Sequence, residues 1–483
     1  MSISQQEPKL GALLVSEGLI SESDVELALE RQKENGGLLG EILVALGIIT
    51  RPQLESVFQA APLAPRSLED VGIPLNQLLR LLVKAAYVAN VRTPSQIRDC
   101  LKLPSHLVMK LIEEATGQNL LAAQGAARDQ VDRSAELSYS LSERGQRLAA
   151  EALNQSHYIG PVPVSLKAYQ DRIVAQKITN ERVSPDMIEE SLNNFVVTRS
   201  YIENLGPAIN SGRSILMYGP PGNGKSSLAK QIGRIFRNTI YVPHCVDIDG
   251  HIMKVYDPSI HEEVDEERQG TDTGSIVQEN IDRRWVACRR PVVVVGGELT
   301  LSMLDLEFNS VSKFYDAPVH LKALGGTFII DDFGRQFVKP KDLLNRWIVP
   351  LESRVDYMRL HSGKTFSIPF DELIIFATNL TPSDLMDPAF LRRIPYKIET
   401  HGPSQSDFRM IFERVSRECG LELNEETLSF VVHELTETLG FDLAAYQPRF
   451  IADHVINGCK FKGSTPRYSD EEIRRALSHL QAA

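Results

Sequence analysis

The sequence predicts a multidomain chain with a small helical repeat domain, an α+β domain, an α/β core with a mainly parallel sheet, and a C-terminal helical lid. Residues 11–20 (GALLVSEGLI) recur as residues 40–49 (GEILVALGII), which indicates two repeated units. From about Asp186, helical and β-rich segments alternate, as they do in α/β domains. After Pro403 the pattern is purely helical. The 483 residues are also too many for a single hydrophobic core.

Composition narrows the classes of protein that the chain can belong to. Lys and Arg number 52 against 63 Asp and Glu, a net charge of −11, so binding to nucleic acid would need a local basic face. No apolar run approaches the ~20 residues of a membrane helix, and the first residues lack the pattern of a secretory signal. The five scattered cysteines are typical of reduced thiols. We therefore expect a cytoplasmic protein without membrane insertion.

The repeat defines a first domain over residues 1–62. Ser21 and Thr50 each precede an amphipathic segment and predict a capped helix after each copy. The two units would bury their apolar faces on each other. Pro62 and Pro65 mark residues 63–73 as a linker.

Residues 74–160 resemble a winged helix. Its predicted elements are helices at 78–88, 93–103 and 105–114, strands at 120–123 and 137–141, and a closing helix at 145–152. The segment that would enter a DNA groove carries His106 and Lys110 but also Glu113 and Glu114. Because no basic patch emerges, the charge pattern favours a protein adaptor over a DNA reader.

The core is expected over residues 161–402 and the lid over residues 403–483. Predicted core strands are 214–218, 239–242, 292–295, 327–330 and 373–377, and predicted lid helices are 405–419, 425–439, 443–456 and 470–480. Residues 241–295 are longer than the core requires. We interpret them as a solvated insertion, which includes His251, His261 and the acidic run 262–267.

A phosphate-binding loop joins a predicted strand to a predicted helix at 227–236. The motif GxxxxGK[ST] is formed by Gly219, Pro220, Pro221, Gly222, Asn223, Gly224, Lys225 and Ser226, and Ser227 follows it. Its glycines let consecutive N–H groups face one anion, and the helix N-terminus adds positive potential. Lys225 should reach the β- and γ-phosphates of a nucleotide, and the Ser226 hydroxyl should hold Mg²⁺.

Two carboxylates end the apolar strand at 327–330. Because the carboxyl ends of parallel strands meet at one edge of a sheet, Asp331 should lie beside the phosphate loop and hold Mg²⁺ through water. Asp332 should orient and polarise the attacking water.

Residues from about 186 to 483 resemble the AAA+ ATPases of bacteria. The segment LIIFATN ends in Asn379, which resembles sensor 1, and DPAFLRRI resembles the arginine-finger segment, with Arg393 as the first candidate and Arg392 as the second. QPR ends in Arg449, which resembles sensor 2. The resemblance implies ATP and Mg²⁺ as cofactors, a homo-oligomer in the form of a hexameric ring, and a protein substrate or adaptor that ATP hydrolysis remodels or positions.

The chain departs from this family at Asp332, where most members carry Glu. The Asp carboxylate sits ~1.5 Å further back, and a misplacement of about 1 Å can cost ~10²-fold in rate. Slow hydrolysis would suit a nucleotide-gated scaffold, which is the alternative function. A DNA-associated ATPase that uses the winged helix is the third.

The first domain resembles the N-terminal domain of type II secretion and type IV pilus assembly ATPases, which in some members binds cyclic di-GMP. The contacts that this resemblance implies are Lys9, Leu10, Gly11, Leu14, Gln32, Leu39, Gly40 and Leu43. Lys9 stands where the motif prefers Arg, and Ala61 stands where the second repeat would end in Gln. A helical docking domain without a ligand is the alternative.

Overall fold

The computed structural model describes residues 14–15, 19–35, 39–50, 53, 61–128, 135–264, 281–385 and 388–481. Its first helices are α1 (Glu22–Asn35), α2 (Leu39–Ala45), α3 (Leu75–Val88), α4 (Pro94–Leu101), α5 (Ser105–Gly117), α6 (Glu143–Gln155), α7 (Leu166–Ala175), α8 (Pro185–Ser191) and α9 (Arg199–Asn210). They continue with α10 (Lys225–Gly233), α11 (Pro340–Arg346), α12 (Ile348–Ser353), α13 (Pro382–Leu385), α14 (Pro388–Leu391), α15 (Gln405–Glu418), α16 (Glu425–His433), α17 (Gln447–Lys462) and α18 (Asp470–Gln481).

The strands lie mainly between α9 and α15. They are β1 (Leu121–Arg128), β2 (Ala135–Leu141), β3 (Val164–Ser165), β4 (Ile215–Tyr218), β5 (Ile240–Pro243), β6 (Cys245–Ile248), β7 (His251–Lys254) and β8 (Trp285–Cys288). The remaining strands are β9 (Val292–Val295), β10 (Glu307–Asn309), β11 (Phe314–Asp316), β12 (Thr327–Ile330), β13 (Val355–Arg359), β14 (Thr365–Pro369), β15 (Leu373–Thr378) and β16 (Tyr396–Glu399).

Equivalent residues of the two sequence repeats share one small core. Leu14 and Leu43 occupy the same position in the two copies, and so do Ile20 and Ile49. All four are buried in a single cluster together with Ala28 of α1. The repeated units therefore pack their matching apolar positions against each other, as sequence self-similarity leads one to expect.

Helices α3 to α6 and the antiparallel hairpin β1–β2 form the next unit. A capping box between Thr93 and Gln96 starts α4. Strand β1 runs to Arg128 and β2 begins at Ala135, so both extend further toward the tip than their apolar residues predict. Residues 129–134 of that tip lie outside the described residues.

The segment predicted as a linker packs against its neighbours. Val71 and Ile73 are buried in the core of the α3–α6 unit. The buried Arg284, paired with Asp282 at 2.8 Å, donates a hydrogen bond of 2.8 Å to the Val71 carbonyl. These contacts hold the end of the predicted linker against both the α3–α6 unit and the core.

The core contains a five-stranded sheet in the order β16-β4-β15-β12-β9, with every pair parallel. This confirms the predicted parallel sheet, although one of the five predicted strands lies outside it. The 239–242 segment becomes β5, which pairs antiparallel with β8 outside this sheet, and β16 provides the fifth strand. An apolar β-branched run predicts a strand, whereas its pairing partner depends on residues distant in sequence.

The prediction of a solvated insertion is also wrong for much of residues 241–295. Strands β6 and β7 form a hairpin in a second, mixed sheet of order β10-β11-β7-β6-β3. His261 is 2 % exposed, and its Nε2 lies 2.9 Å from the Lys322 carbonyl oxygen. This histidine therefore has a structural role in tying the segment to the core. Of the acidic run, residues 265–267 lie outside the described residues.

Helices α15 to α18 form the lid around a core that includes Phe408, Phe412 and Ile451. Helix α17 begins at Gln447, four residues later than predicted. The Gln447 side chain explains this start, because it accepts a hydrogen bond from the Ala444 N–H and donates one to the Asp442 carbonyl, both of 2.9 Å. Within the described residues, no helix is both long enough and apolar enough to span a bilayer.

Candidate functional site

The carboxyl ends of three neighbouring strands bring the predicted site together. Strand β15 lies between β4, which enters the phosphate loop, and β12, which ends before Asp331. Tyr218 of β4 pairs with Thr378 of β15, and Ile330 of β12 pairs with Phe376. The phosphate loop, Asn379 and Asp331 therefore emerge at the same edge of the sheet.

The phosphate loop needs glycine where it turns. Gly219 has φ +139°, and a Cβ there would lie 2.2 Å from the Thr400 carbonyl oxygen. Gly222 has φ +79°, and a Cβ there would lie 2.3 Å from the ring of Tyr446 in the lid. Both positions thus require the left-handed conformations and the small size that glycine allows.

Lys225 is the first residue of α10 and is 7 % exposed. Its Nζ donates to the carbonyl oxygens of Gly219 at 2.9 Å and of Pro220 at 2.8 Å, so the ammonium closes the loop on itself. Burial lowers the pKa of Lys225, and the carboxylates of Asp332 and Asp331 oppose that shift. A cation is therefore held directly inside the loop.

The acidic strand end touches the start of α10. The Ser226 hydroxyl donates to Asp331 Oδ1 at 2.7 Å, and the Asp332 N–H donates to the same oxygen at 3.0 Å. Gln336 donates to the Asp331 carbonyl at 2.8 Å. The two predicted metal ligands, Ser226 and Asp331, are thus adjacent, and Asp332 follows them in a left-handed conformation with φ +49°.

Most of the predicted loop and acidic residues line one cavity of about 210 Å³. Its lining includes Pro221, Gly222, Gly224, Lys225, Ser226, Ser227, Asp331, Asp332 and Asn379. Pro220 and Asn223 instead line a cleft of about 910 Å³ between the core and the lid, which shares Pro221 and Gly222 with the cavity. The two spaces therefore adjoin across the phosphate loop.

Three residues of this region were not singled out from the sequence. Thr378 is buried, and its hydroxyl donates to the Phe333 carbonyl at 2.7 Å and accepts from the Leu380 N–H at 3.1 Å. It therefore ties the turn that carries Asp332 to the turn that carries Asn379. Gln336 supports Asp331, and Tyr446 donates its N–H to the Gly222 carbonyl at 3.1 Å. Thr378 could have been found in the sequence as a polar residue at the end of an apolar strand. The sequence carries no comparable signal for Gln336 or Tyr446.

Arg393 and Arg392 lie at the opposite edge of the sheet. The Ser214 hydroxyl, just before β4, donates to the Arg393 carbonyl at 3.3 Å. The Arg393 side chain pairs with Glu352 at 2.6 Å and lies 5.6 Å from the ring of Phe390. Arg392 is exposed. Neither arginine lines the cavity of its own chain.

Arg449 sits in the first turn of α17, next to the lid residues that contact the phosphate loop. Its guanidinium pairs with Asp453 at 3.2 Å and with Glu418 of α15 at 3.5 Å. It does not line the cavity in this conformation. Both ion pairs are solvent-exposed, and such pairs contribute about 0–1 kcal/mol each, so they leave the side chain able to move.

The predicted cyclic di-GMP contacts are described only in part. Leu14 and Leu43 are both 0 % exposed, so their side chains belong to the core of the repeat domain. Lys9, Leu10 and Gly11 lie outside the described residues, and so do the side chains of Gln32 and Leu39 and the surroundings of Gly40.

Comparisons with known proteins cover separate parts of the chain. Residues 404–479 match a family described as a domain of unknown function, DUF8689. Over 75 residues the chain is 34% identical to the type IV pilus assembly ATPase PilB of Thermus thermophilus. That match covers 16% of this chain, and the chain spans only 7% of the length of PilB.

Solved structures give low similarity over longer stretches. NtrX of Brucella abortus aligns at 13% identity and a TM-score of 0.35, over 56% of this chain and 52% of its own. The RuvB Holliday junction branch migration motor of Thermotoga maritima aligns at 13% identity and a TM-score of 0.34, over 61% of this chain and 73% of its own. Domain III of the replication initiation protein DnaA from the same organism aligns at 15% identity and a TM-score of 0.33, over 63% of this chain and 100% of its own. At these values the similarities establish neither a family nor an activity for the chain.

The left-handed backbone of Asp332 makes a prediction about stability. Asp332→Glu should destabilise the protein by about 1 kcal/mol, because the left-handed conformation is less favourable for residues other than Gly, Asn and Asp. Thermal unfolding should show a lower midpoint for this variant. Asp332→Asn is the matched control for the backbone and should unfold closer to the parent than the glutamate variant does. It keeps the left-handed preference, while the loss of its charge removes both repulsion from Asp331 and attraction to Lys225. A glutamate variant with an unchanged midpoint would contradict the assignment of strain.

Proposed function

We propose that this chain is an AAA+ ATPase that binds ATP with Mg²⁺ and hydrolyses it to remodel or position a protein partner. The observation that carries the proposal is the contact between Ser226 and Asp331 at 2.7 Å, directly beside the buried Lys225. A phosphate loop, a cation and an acidic strand end then share one small cavity. This set of groups suits a polyphosphate accompanied by a divalent cation.

The residues present fit Mg²⁺. Ser226 and Asp331 offer hard oxygen ligands, and Mg²⁺ typically takes one or two protein oxygens along with waters and phosphates. Among the described residues that line the cavity, Lys225 is the one cation, and it faces the two carboxylates of Asp331 and Asp332. When bound, the metal would supply the remaining positive charge that a triphosphate needs beside these carboxylates.

The core–lid cleft is suited to the nucleoside. It adjoins the phosphate cavity through Pro221 and Gly222, and its lid side includes Phe441, Leu443 and Tyr446. Apolar and aromatic walls with few polar groups are typical of small-molecule sites. We therefore infer that the phosphates lie in the smaller cavity and the base lies toward the lid.

Asp332 and Asn379 are the groups available to a water molecule near the terminal phosphate. Both line the phosphate cavity, and the Thr378 hydroxyl joins the turns on which they stand. A carboxylate can accept a proton from attacking water, and an amide can hydrogen-bond the phosphate or the water. Thr378 would act as a positioning residue for this pair.

The arginines at the other edge of the sheet support a site that is completed between subunits. The Ser214 hydroxyl, which donates to the Arg393 carbonyl, lies just before β4, and Gly219 lies just after it. Because β4 has four residues, Ser214 and Gly219 are separated by about 13 Å or more at ~3.3 Å per residue. The backbone of Arg393 therefore lies at the end of β4 opposite the phosphate loop of its own chain. A head-to-tail neighbour could present Arg392 and Arg393 to that loop, and such contacts close into rings, for which we propose a hexamer. Arg449 remains the candidate for a contact within the chain.

A nucleotide-gated scaffold is the second candidate, because Asp332 has a shorter side chain than Glu. Phosphate release at saturating ATP separates the two candidates: steady turnover supports the ATPase, whereas binding without release supports the scaffold. DNA association through α5 is less favoured, because Glu113 and Glu114 are exposed on that helix beside Lys110. We propose the cytoplasm as the location.

The phosphate loop gives the first functional prediction. Lys225→Ala should weaken ATP binding by about tenfold or more, since one charge-assisted contact to phosphate contributes about 1.5–3 kcal/mol. Isothermal titration with ATP and Mg²⁺ measures this change. Lys230→Ala, an exposed lysine on the same helix, is the matched control and should bind as the parent does. Equal affinity for all three proteins would refute the proposed nucleotide site.

Mixing experiments test whether the arginines act across subunits. Arg393→Ala and Arg392→Ala should leave ATP binding intact, and loss of the finger should reduce turnover by about 10³-fold. Mixing the inactive arginine variant with Lys225→Ala should restore part of the activity, because some interfaces then combine an intact loop with an intact arginine. Arg417→Ala, on an exposed part of α15, should have no effect. Normal turnover in both finger variants would remove the trans arginine from the mechanism.

Cyclic di-GMP is proposed as a regulatory ligand of residues 1–62. The equivalence of Leu14 and Leu43 in one core supports a paired repeat, and the PilB similarity adds a relative that is a pilus assembly ATPase. Because these two leucines are fully buried, exposed groups and backbone at the repeat starts would have to make the direct contacts. Binding there could bias the assembly if the ligand prefers one of its states.

Titration of the full chain with labelled cyclic di-GMP should give saturable binding. Lys9→Ala should weaken it by about tenfold, the magnitude of a lost charge-assisted hydrogen bond, whereas Lys33→Ala near the end of α1 should not. Absence of saturable binding would leave the repeat domain as a docking domain.

A further inference from the structure

A second cavity, which we call the junction cavity, lies between the α3–α6 unit and the hairpin β6–β7. Its volume is about 340 Å³, within the range of ~300–1,000 Å³ that small-molecule sites occupy. Leu78 and Leu81 of α3 and Ile252 of β7 form apolar parts of its wall. The two-residue turn at Asp249 and Gly250, both with positive φ, brings the hairpin against α3.

Three cations converge on the junction cavity without a carboxylate partner. Lys84 is 4 % exposed and donates to the carbonyl oxygens of Ser156 at 3.0 Å and Tyr158 at 2.7 Å. Arg80 donates to the amide oxygen of Gln155, and Lys313 donates to a backbone carbonyl at 2.7 Å. Within the described part of the chain, all three therefore have neutral acceptors only.

The surrounding groups do not neutralise these charges. The carboxyl end of α6, which supplies several of the acceptors, carries only about half a negative charge. Asp247 is the one carboxylate among the described lining residues, and burial raises its pKa. Burial, with a smaller contribution from Arg80, lowers the pKa of Lys84 to about 8. An ammonium has three N–H donors, and Lys84 uses two, so one donor remains.

We propose that the junction cavity binds a small organic anion, a carboxylate, sulfonate or phosphate on an apolar body, with Lys84 as the anchoring cation. The anionic group would lie near Lys84, Arg80 and Lys313, and the apolar body would lie against Leu78, Leu81 and Ile252. The hydrogen-bond acceptors of the buried Lys84 are neutral, and a bound anion would supply the missing counter-charge. Because the walls come from both units, the ligand would also stabilise their contact.

Isothermal titration of the full chain with 2-naphthoate tests the proposal. The expected result is saturable one-to-one binding of 2-naphthoate. Its neutral analogue 2-naphthylmethanol and inorganic phosphate, which lacks an apolar body, should each bind at least about tenfold more weakly. Lys84→Met should weaken 2-naphthoate binding by about tenfold or more, and Lys110→Met, on the exposed face of α5, should not. Saturating ATP with Mg²⁺ should not displace the probe, which separates this site from the phosphate cavity.

Any of three results would overturn the proposal: no saturable binding of 2-naphthoate, equal binding of the alcohol, or an unchanged affinity in Lys84→Met. If circular dichroism shows that Lys84→Met is unfolded, the double variant Arg80→Met and Lys313→Met replaces it. Arg80 and Lys313 are less buried than Lys84, so their replacement should preserve the fold. The double variant should also bind 2-naphthoate more weakly than the parent. Unchanged affinity in that double variant would refute the proposal as well.

Discussion

The position of β15 between β4 and β12 determines the rest of the candidate site. Neighbouring strands of a sheet lie about 4.8 Å apart, so the ends of these three parallel strands fall within about 10 Å of one another. The phosphate loop, Asn379 and Asp331 each follow directly after one of them. Ser226, at the end of the loop that follows β4, donates to Asp331, which follows β12, at 2.7 Å.

Asp332 combines a proposed role in the chemistry with an uncommon backbone conformation. The sequence alone suggests that the short side chain places its carboxylate further from an attacking water than a Glu would. The structure adds that this residue has φ +49°, a conformation that Asp adopts more readily than Glu. A shorter carboxylate and a left-handed turn are therefore two aspects of one local geometry. The Thr378 hydroxyl, which bonds the adjacent Phe333 carbonyl, holds that geometry against β15.

Local patterns made part of this molecule predictable. The phosphate motif, the apolar strands ending in polar residues and the capped helices are all encoded within short windows, and the parallel sheet follows from them. Strand pairing is not local, so the pairing of β5 with β8 and the hairpin β6–β7 cannot be predicted from short windows. The packing of Tyr446 on Gly222 and the cap by Gln447 likewise depend on residues brought together only by folding.

The backbone hydrogen bond between Tyr446 and Gly222 joins the lid directly to the phosphate loop. The Ala445 N–H adds a second link, to the Asn223 side chain at 3.3 Å. The segment that leads into α17 is therefore bonded to the glycine turn at two successive residues. A change in the shape of that turn acts directly on the chain that enters a whole helical domain.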